Sequence, residues 1–145
     1  MLSEINELIY PFFQIGFLLC IAFLIIWNRV LILRVVRIRR EKKILLESGG
    51  DEELARAIRC HGNFTESVPI AVIIPIILFF QKELAVFSFV ALVLLCIGRY
   101  IHSEGLKNLD EDLKYRRRGM YFTRYANIVS LTGVALYILH IIMSL

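Results

Sequence analysis

Long apolar runs constrain this chain more than any other feature of its sequence. Four of them are visible, at about residues 9–33, 54–80, 84–102 and 119–144, and 58% of all residues are apolar. A helix needs about 20 such residues to cross the ~30 Å hydrocarbon layer of a membrane. The sequence therefore predicts an all-α integral membrane protein, a four-helix bundle formed by one domain over residues 1–145.

The basic residues predict how the chain is oriented. Nine of the 17 Lys and Arg lie between Arg29 and Arg59, and seven lie between Arg99 and Arg124. Lys82 alone stands in the short turn between the second and third runs. Since basic loops stay in the cytoplasm, we expect both termini on the non-cytoplasmic side. The first run has no basic start or cleavage pattern of a signal peptide, so we expect it to remain as an anchor.

Composition argues against three other kinds of site. The net charge of +4 and the pI near 9.1 are explained by membrane topology and do not require nucleic acid. The three cysteines, Cys20, Cys60 and Cys96, are odd in number, and two lie inside apolar runs, so no disulfide framework is expected. The three histidines lie on separate segments without a ligand pattern, which predicts no metal site.

The charged connection between the first two runs has its own signals. Its basic part, RVVRIRREKK, has a helical composition and is expected to extend the first helix past the membrane. Ser48-Gly49-Gly50 is the expected break. Asp51, Glu52 and Glu53 then place acidic residues on the first turn of the second helix, where they suit its dipole.

Polar residues continue into the second span, where they are costly unless they face protein or water. At about 100° per residue, Arg56, Asn63 and Glu66 fall within an arc of roughly 80° that includes Arg59. His61 falls near 200° from Arg59, on another face. These side chains predict one polar stripe along the first third of the second span.

Two interpretations of this stripe remain open from periodicity alone. One is a buried Arg–Glu pair, fixed by Asn63, that holds helices together, since polar residues do join membrane helices. The other is a pocket for a small charged ligand: arginines would bind carboxylates in paired hydrogen bonds, and Glu66 would bind an ammonium group. Arg99 and His102, neighbours at i and i+3, and the Arg116–Arg118 triplet lie at the same level.

These residues resemble a known family. RAIRCHGNFTESVP, GRYIH and RRRGMYFT, in this order in a chain with four spans, resemble the MAPEG family, the membrane-associated proteins in eicosanoid and glutathione metabolism. The HGN and RRxGM variants are similar to its small bacterial branch. The resemblance implies a homotrimer in a bacterial inner membrane, with glutathione held between neighbouring subunits near the cytoplasmic face.

The resemblance also implies roles for individual residues. The positions that match glutathione-binding residues of the family are Arg37, Arg59, His61, Asn63, Glu66, Arg99 and His102. Arg118 matches the arginine that stabilises the glutathione thiolate, and it is the expected catalytic residue. A free thiol titrates near ~8.5, and a fixed guanidinium would lower that pKa without a proton transfer of its own.

The chain departs from the eicosanoid enzymes of the family at three positions. Leu106 and Phe122 stand where those enzymes carry tyrosines, and Gly62 stands where they carry an arginine. These differences argue against an eicosanoid substrate and against tight glutathione binding.

The sequence therefore favours two functions. The first is a glutathione transferase or peroxidase acting on lipophilic electrophiles or hydroperoxides. The alternative is a non-catalytic membrane scaffold that binds lipid or glutathione. A thiol ligand other than glutathione and a purely structural stripe remain less favoured.

Overall fold

The computed structural model describes residues 2–107 and 113–145, with side chains from residue 7 onward. Its elements are four α-helices and one turn of 3₁₀-helix between the second and third: α1 Leu2–Lys42, α2 Glu52–Phe79, the 3₁₀ turn Lys82–Leu84, α3 Ala85–Gly105 and α4 Leu113–Met143. Residues 108–112 of the charged loop between the third and fourth spans lie outside the described part.

The predicted spans are confirmed as helices. Four helices in the described chain are long and apolar enough to cross a membrane, which agrees with the all-α four-helix bundle expected from the apolar runs. One end of the bundle holds the α1–α2 connection, the end of α3 and the start of α4, and we call it the basic end. The opposite end holds the α2–α3 turn and the last turn of α4, and we call it the hairpin end.

A seven-residue repeat of buried side chains runs along one face of α1, with Val35 also buried near its end. Phe17, Leu24, Leu31 and Ile38 are spaced by seven and are all buried. A seven-residue apolar repeat keeps one face of a helix turned toward its neighbours over several turns. The helix has 41 residues and is therefore about 61 Å long at 1.5 Å per residue, roughly twice the hydrocarbon thickness.

The first helix ends earlier than the Ser48-Gly49-Gly50 break suggested. Lys43 adopts the left-handed conformation, with φ of 56°, and the Ile44 amide donates to the Arg39 carbonyl at 3.1 Å. This is the hydrogen-bond pattern of a Schellman helix end, usually formed by glycine. The Ile44 side chain packs against a small cluster that includes Ile38 and Leu54, and this apolar contact explains why the turn forms at a lysine.

Helices α3 and α4 pack closely because glycines lie where they cross. A Cβ added at Gly98 would lie 2.9 Å from the Gly119 carbonyl oxygen, and one added at Gly119 would lie 2.7 Å from the Gly98 oxygen. Small residues let membrane helices approach until backbones touch. This contact sets the start of α4 against the end of α3, which is where the polar residues of the sequence converge.

Candidate functional site

Asn63 on α2 and Arg99 on α3 form the central contact of the polar region. Arg99 Nη1 donates to Asn63 Oδ1 at 2.7 Å, and Arg99 is only 3% exposed. The Nε atom of Arg99 is also buried and lacks a hydrogen-bond partner among the described residues. A buried guanidinium with an unused donor is costly unless something accepts from it.

His102 lies on the same helix, one turn from Arg99, and is 5% exposed. Positive charges on three helices act on it, those of Arg59, Arg99 and Arg116. A Cβ built on Gly119 would lie 2.7 Å from the backbone nitrogen of His102 and 2.7 Å from its Cβ. His102 therefore occupies the space that a side chain at position 119 would need. The close contact between α3 and α4 at these glycines therefore packs His102 against the first turns of α4.

The stripe on α2 continues outward from Asn63 as an exposed ion pair. Arg59 Nη1 lies 3.4 Å from Glu66 Oε1, and their side chains are 62% and 60% exposed. The arginine that bonds Asn63 inside the chain is thus Arg99, and the Arg59–Glu66 pair is not buried within one subunit. The helix-joining interpretation therefore applies to Arg99 and Asn63, while Arg59 and Glu66 remain accessible.

His61 faces the other way, as its angle on the helix predicted. Its Nε2 lies 3.1 Å from Asn28 Oδ1 on α1. Asn28 was not among the predicted site residues, although it is one of only two amides in the first apolar run, the other being Gln14. Together the two residues form a polar link between α1 and α2 at the level of the Asn63–Arg99 bond.

Arg37 and Arg118 lie on separate surfaces of the chain. Arg37 is exposed on α1 and pairs with Glu41 one turn later, at 3.8 Å. Arg118 is exposed on α4, where it lines a shallow surface cavity of about 320 Å³ with Tyr121, Phe122 and Tyr125. None of the contacts among the described residues joins Arg37 or Arg118 to Arg59, Asn63 or Glu66.

A second polar network at the basic end ties α1 to the end of α3. Trp27 Nε1 donates to Ser103 Oγ at 3.1 Å, and Ser103 Oγ donates to the Tyr100 carbonyl at 2.8 Å. Arg34 Nη2 donates to the Lys107 carbonyl at 3.2 Å, near the free carbonyls of the helix end. This network holds α3 at the depth where Arg99 meets Asn63, and Arg34 was not among the predicted site residues.

An apolar groove runs between α1 and α2 next to these polar groups. It has a volume of about 300 Å³ and is lined by Ile21, Leu24, Ile25, Asn28, Phe64, Thr65, Val68, Pro69, Val72 and Ile76. Asn28 and Thr65 are its polar residues, and Asn28 is the partner of His61. The groove thus extends from the membrane-spanning parts of α1 and α2 to the His61–Asn28 contact.

The three departures from the eicosanoid enzymes differ in their surroundings. Leu106 is 3% exposed and belongs to the main apolar core, so a tyrosine there would need repacking. Phe122 lines the cavity of Arg118, where a hydroxyl is consequently missing. Gly62 lies beside the ion pair, since a Cβ built there would be 3.8 Å from Glu66 Oε1.

Comparison with known proteins relates this sequence to one family. The profile of the MAPEG family matches residues 17–137. Inner membrane protein YecN of Escherichia coli strain K12 is 32% identical over 89 residues, and so is the protein of that name from Escherichia coli O6:H1. The match covers 61% of this chain and 66% of each relative, so the chain spans slightly under two thirds of their length.

Proposed function

Because the chain belongs to the MAPEG family, whose members are membrane proteins of eicosanoid and glutathione metabolism, we propose that it is a glutathione-dependent membrane enzyme. It would act as a transferase or peroxidase on lipophilic electrophiles or hydroperoxides. The eicosanoid enzymes themselves are a poorer parallel, because Leu106 occupies the core where they carry a tyrosine.

The observation that carries the proposal is the unused donor of Arg99. Its Nε is buried without a partner among the described residues. Arg99 bonds Asn63 on α2, the helix that also carries the accessible Arg59–Glu66 pair. Glutathione has two carboxylates, an ammonium group and two amides. Arginines suit the carboxylates, Glu66 suits the ammonium group, and Asn63 is placed to bond an amide.

Glutathione, when bound, supplies a thiol as the nucleophile. Arg118 is proposed to hold its thiolate form, since a guanidinium stays charged and stabilises a neighbouring anion. The aromatic residues beside Arg118 would keep water from the reacting sulfur and contact an apolar substrate. Arg59, His61, Asn63, Glu66, Arg99, His102 and Arg37 are proposed to bind and orient the tripeptide.

We further propose that the site is completed by a second subunit in a homotrimer. Within one chain Arg37, Arg118 and the Arg59–Glu66 pair are exposed on separate surfaces, and all lie on helices that cross the membrane. Arg59 and Glu66 belong to the second span, where charged side chains are expected to face protein or water. A neighbouring copy would cover these surfaces and bring the separate groups together.

The proposed location is the bacterial inner membrane. The YecN relatives are named as inner membrane proteins, and the basic end carries most of the Lys and Arg residues. By the positive-inside rule the glutathione site would open toward the cytoplasm and both termini would lie on the other side.

A non-catalytic scaffold that binds lipid or glutathione is the alternative. It is favoured by the missing hydroxyls at Leu106 and Phe122, since Phe122 lies directly beside Arg118. An enzyme that lacks those hydroxyls would depend on Arg118 alone for thiolate stabilisation.

Binding is tested by calorimetry with glutathione on the detergent-solubilised protein. We expect saturable binding that is lost in Arg59→Ala and Glu66→Ala but kept in Arg40→Ala, which removes an exposed arginine elsewhere. Absence of binding to the unchanged protein, with normal assembly, would rule out the glutathione site.

Turnover is tested with a chromogenic electrophile and with a lipid hydroperoxide. We expect Arg118→Ser to bind glutathione nearly normally and to lose about 10²-fold or more in turnover, as for loss of an electrostatic contact to a developing anion. Glutathione binding without turnover on either substrate in the unchanged protein would favour the scaffold.

A further inference from the structure

A second polar cavity lies at the hairpin end, on the opposite side of the bundle from the proposed glutathione site. It has a volume of about 180 Å³ and is lined by Gln81, Glu83, Leu84, Leu136, Tyr137 and His140. A carboxylate, an imidazole, a phenol and an amide thus surround one small space at the level where a membrane protein meets lipid headgroups.

The packing of α4 explains why these groups meet. Leu136, Tyr137 and His140 lie three, four and seven residues after Gly133, so all four share one face of the helix. A Cβ built on Gly133 would lie 2.6 Å from Leu78 Cδ1 and 3.1 Å from Phe87 Cβ. The missing side chain therefore lets this face approach the α2–α3 turn.

The turn itself is held in place by backbone hydrogen bonds. The Gln81 amide donates to the Leu78 carbonyl at 3.0 Å, and the Leu84 amide donates to the Gln81 carbonyl at 2.9 Å. Lys82 points toward α1, with its Nζ 5.8 Å from the centre of the Tyr10 ring. Lys82 is therefore not the ion-pair partner of Glu83, which lines the cavity.

The polar side chains of the cavity are unused by the fold. In the described ranges, the side chains of Glu83, Tyr137 and His140 have no hydrogen-bond or ion-pair partner. Apolar side chains surround them, since Ile138 is 51% and Leu139 52% exposed on the neighbouring faces of α4. Such a surface contacts acyl chains in a membrane, so the molecule that reaches the cavity is expected to carry an apolar part.

We propose that this cavity binds the headgroup of a phospholipid that carries a primary ammonium group, such as phosphatidylethanolamine. Glu83 accepts from the ammonium group, while His140, Tyr137 and the Gln81 amide donate to phosphate or ester oxygens. Leu84 and Leu136 contact the glycerol region. The volume of about 180 Å³ is smaller than the ~300–1,000 Å³ of pockets for drug-sized molecules, which suits a headgroup better than a larger ligand.

A divalent metal ion suits the cavity less well. Glu83 and His140 are the two side chains of metal-binding type that line it, and structural zinc sites use four. No group of three or more His, Cys, Asp or Glu side chains that could hold a metal occurs among the described residues.

The test is native mass spectrometry of the detergent-purified full chain with equal amounts of three lipids of the same acyl composition: phosphatidylethanolamine, phosphatidylcholine and phosphatidylglycerol. We expect the ethanolamine lipid to be retained about threefold or more over the choline lipid, whose methylated nitrogen cannot donate to Glu83. Equal retention of the two would overturn the proposal.

Variants separate this site from general lipid adhesion. Glu83→Gln should abolish the preference for the ethanolamine lipid, and His140→Gln should weaken both ethanolamine and glycerol lipids. Lys82→Gln, on the same turn but directed at Tyr10, should change neither. A preference that survives Glu83→Gln in a protein with unchanged thermal unfolding would contradict the assignment.

A soluble headgroup distinguishes a lipid site from a site for a free metabolite. O-phosphoethanolamine at the same concentration as the lipid should not displace it, because it lacks the part that contacts Leu84 and Leu136. Displacement by the soluble compound, or by zinc ions, would overturn the lipid assignment. The proposal is independent of glutathione, and the readout is unaffected if Arg59 or Arg118 proves to have another role.

Discussion

Arg99 and Asn63 show at the scale of single residues how a polar group is kept inside a membrane bundle. Both side chains lie on spans, and the 2.7 Å hydrogen bond joins α2 to α3. Asn28 and His61 make a similar link between α1 and α2, at 3.1 Å. The two links differ in charge, because the first includes a guanidinium that is 3% exposed.

This difference predicts unequal effects of two matched substitutions. Asn63→Ala leaves a buried charge without its acceptor and should lower the free energy of unfolding by about 1.5–3 kcal/mol, as for hydrogen bonds to charged groups. Asn28→Ala should cost only about 0.6 kcal/mol, the average for a hydrogen bond between membrane helices. Equilibrium unfolding in mixed detergent micelles measures both.

Equal costs of the two substitutions would contradict this account of Arg99. Such a result would mean that water reaches the guanidinium and that its burial within one chain does not persist in the membrane.

At the scale of helices, close packing depends on where glycine stands. Gly119 and Gly62 both lie inside helices, but only Gly119 is in contact with another helix. A Cβ at Gly119 would meet the Gly98 oxygen and the His102 backbone at 2.7 Å, whereas a Cβ at Gly62 would meet only Glu66 Oε1, at 3.8 Å.

Alanine substitutions at these glycines should therefore have opposite signs. Gly119→Ala forces α3 and α4 apart and should destabilise the protein by about 1–3 kcal/mol, the usual cost of overpacking. Gly62→Ala removes the flexibility of glycine from a helix and should stabilise it by about 0.5–1 kcal/mol. Thermal unfolding of the two variants in the same detergent measures both effects. Destabilisation by Gly62→Ala would contradict this expectation and would indicate that Gly62 contacts a neighbouring subunit.

The start of α2 depends on a carboxylate outside the membrane. Asp51 accepts from the Leu54 amide at 2.8 Å and from Lys42 Nζ at 2.5 Å. The hydrogen bond from Lys42, and then the Leu54 amide, hold the pKa of Asp51 below its ordinary value of 3.8. These contacts fix the α1–α2 connection at the basic end.

The lowered pKa gives the α1–α2 connection a specific pH dependence. Because the folded pKa lies below the unfolded value, the contribution of Asp51 to stability is complete above pH 3.8 and is lost as the pH falls through the lowered value. Hydrogen-exchange protection of the Leu54 amide, corrected for intrinsic rates, should fall in that range. Asp51→Asn cannot titrate and should show no such step.

At the scale of the whole molecule, a single chain leaves its proposed site incomplete. Arg37, Arg118 and the Arg59–Glu66 pair occupy separate exposed surfaces, and large apolar side chains such as Ile25, Leu18 and Leu131 are exposed as well. Apolar side chains suit lipid, but the exposed Arg59 guanidinium and Glu66 carboxylate of the second span do not. The charged surfaces are therefore the ones that a neighbouring copy is expected to cover.

Mixed assemblies test a shared site directly. Arg37→Ala and Glu66→Gln should each be inactive alone, provided that the two residues serve one site from different chains. Co-expressed in equal amounts, they should recover about a quarter of the normal turnover, because about one interface in four then has both original residues. Native mass spectrometry should show three copies per assembly.

No recovery in mixed assemblies, with normal trimers, would place Arg37 and Glu66 in the same chain's site. Recovery without trimers would indicate a different oligomer.

The sequence by itself determined the four helices, because apolar runs of this length have one stable arrangement in a membrane. Hydrogen bonds inside a helix satisfy the backbone locally, so composition suffices. The angle of 100° per residue also separated His61 from the stripe correctly, since it too is a property of one helix.

Contacts between helices were decided only by the tertiary structure. Periodicity placed Arg59, Asn63 and Glu66 together, but it could not show that Asn63 bonds Arg99, that His61 bonds Asn28, or that Arg34 holds the end of α3. The early end of α1 depended on Ile44 reaching the core around Ile38 and Leu54. The polar cavity at the hairpin end likewise depends on Gly133 packing against Leu78 and Phe87. Such contacts join residues distant along the chain, and their pairing depends on helix rotation and depth, which side-chain packing fixes only once all four helices are assembled.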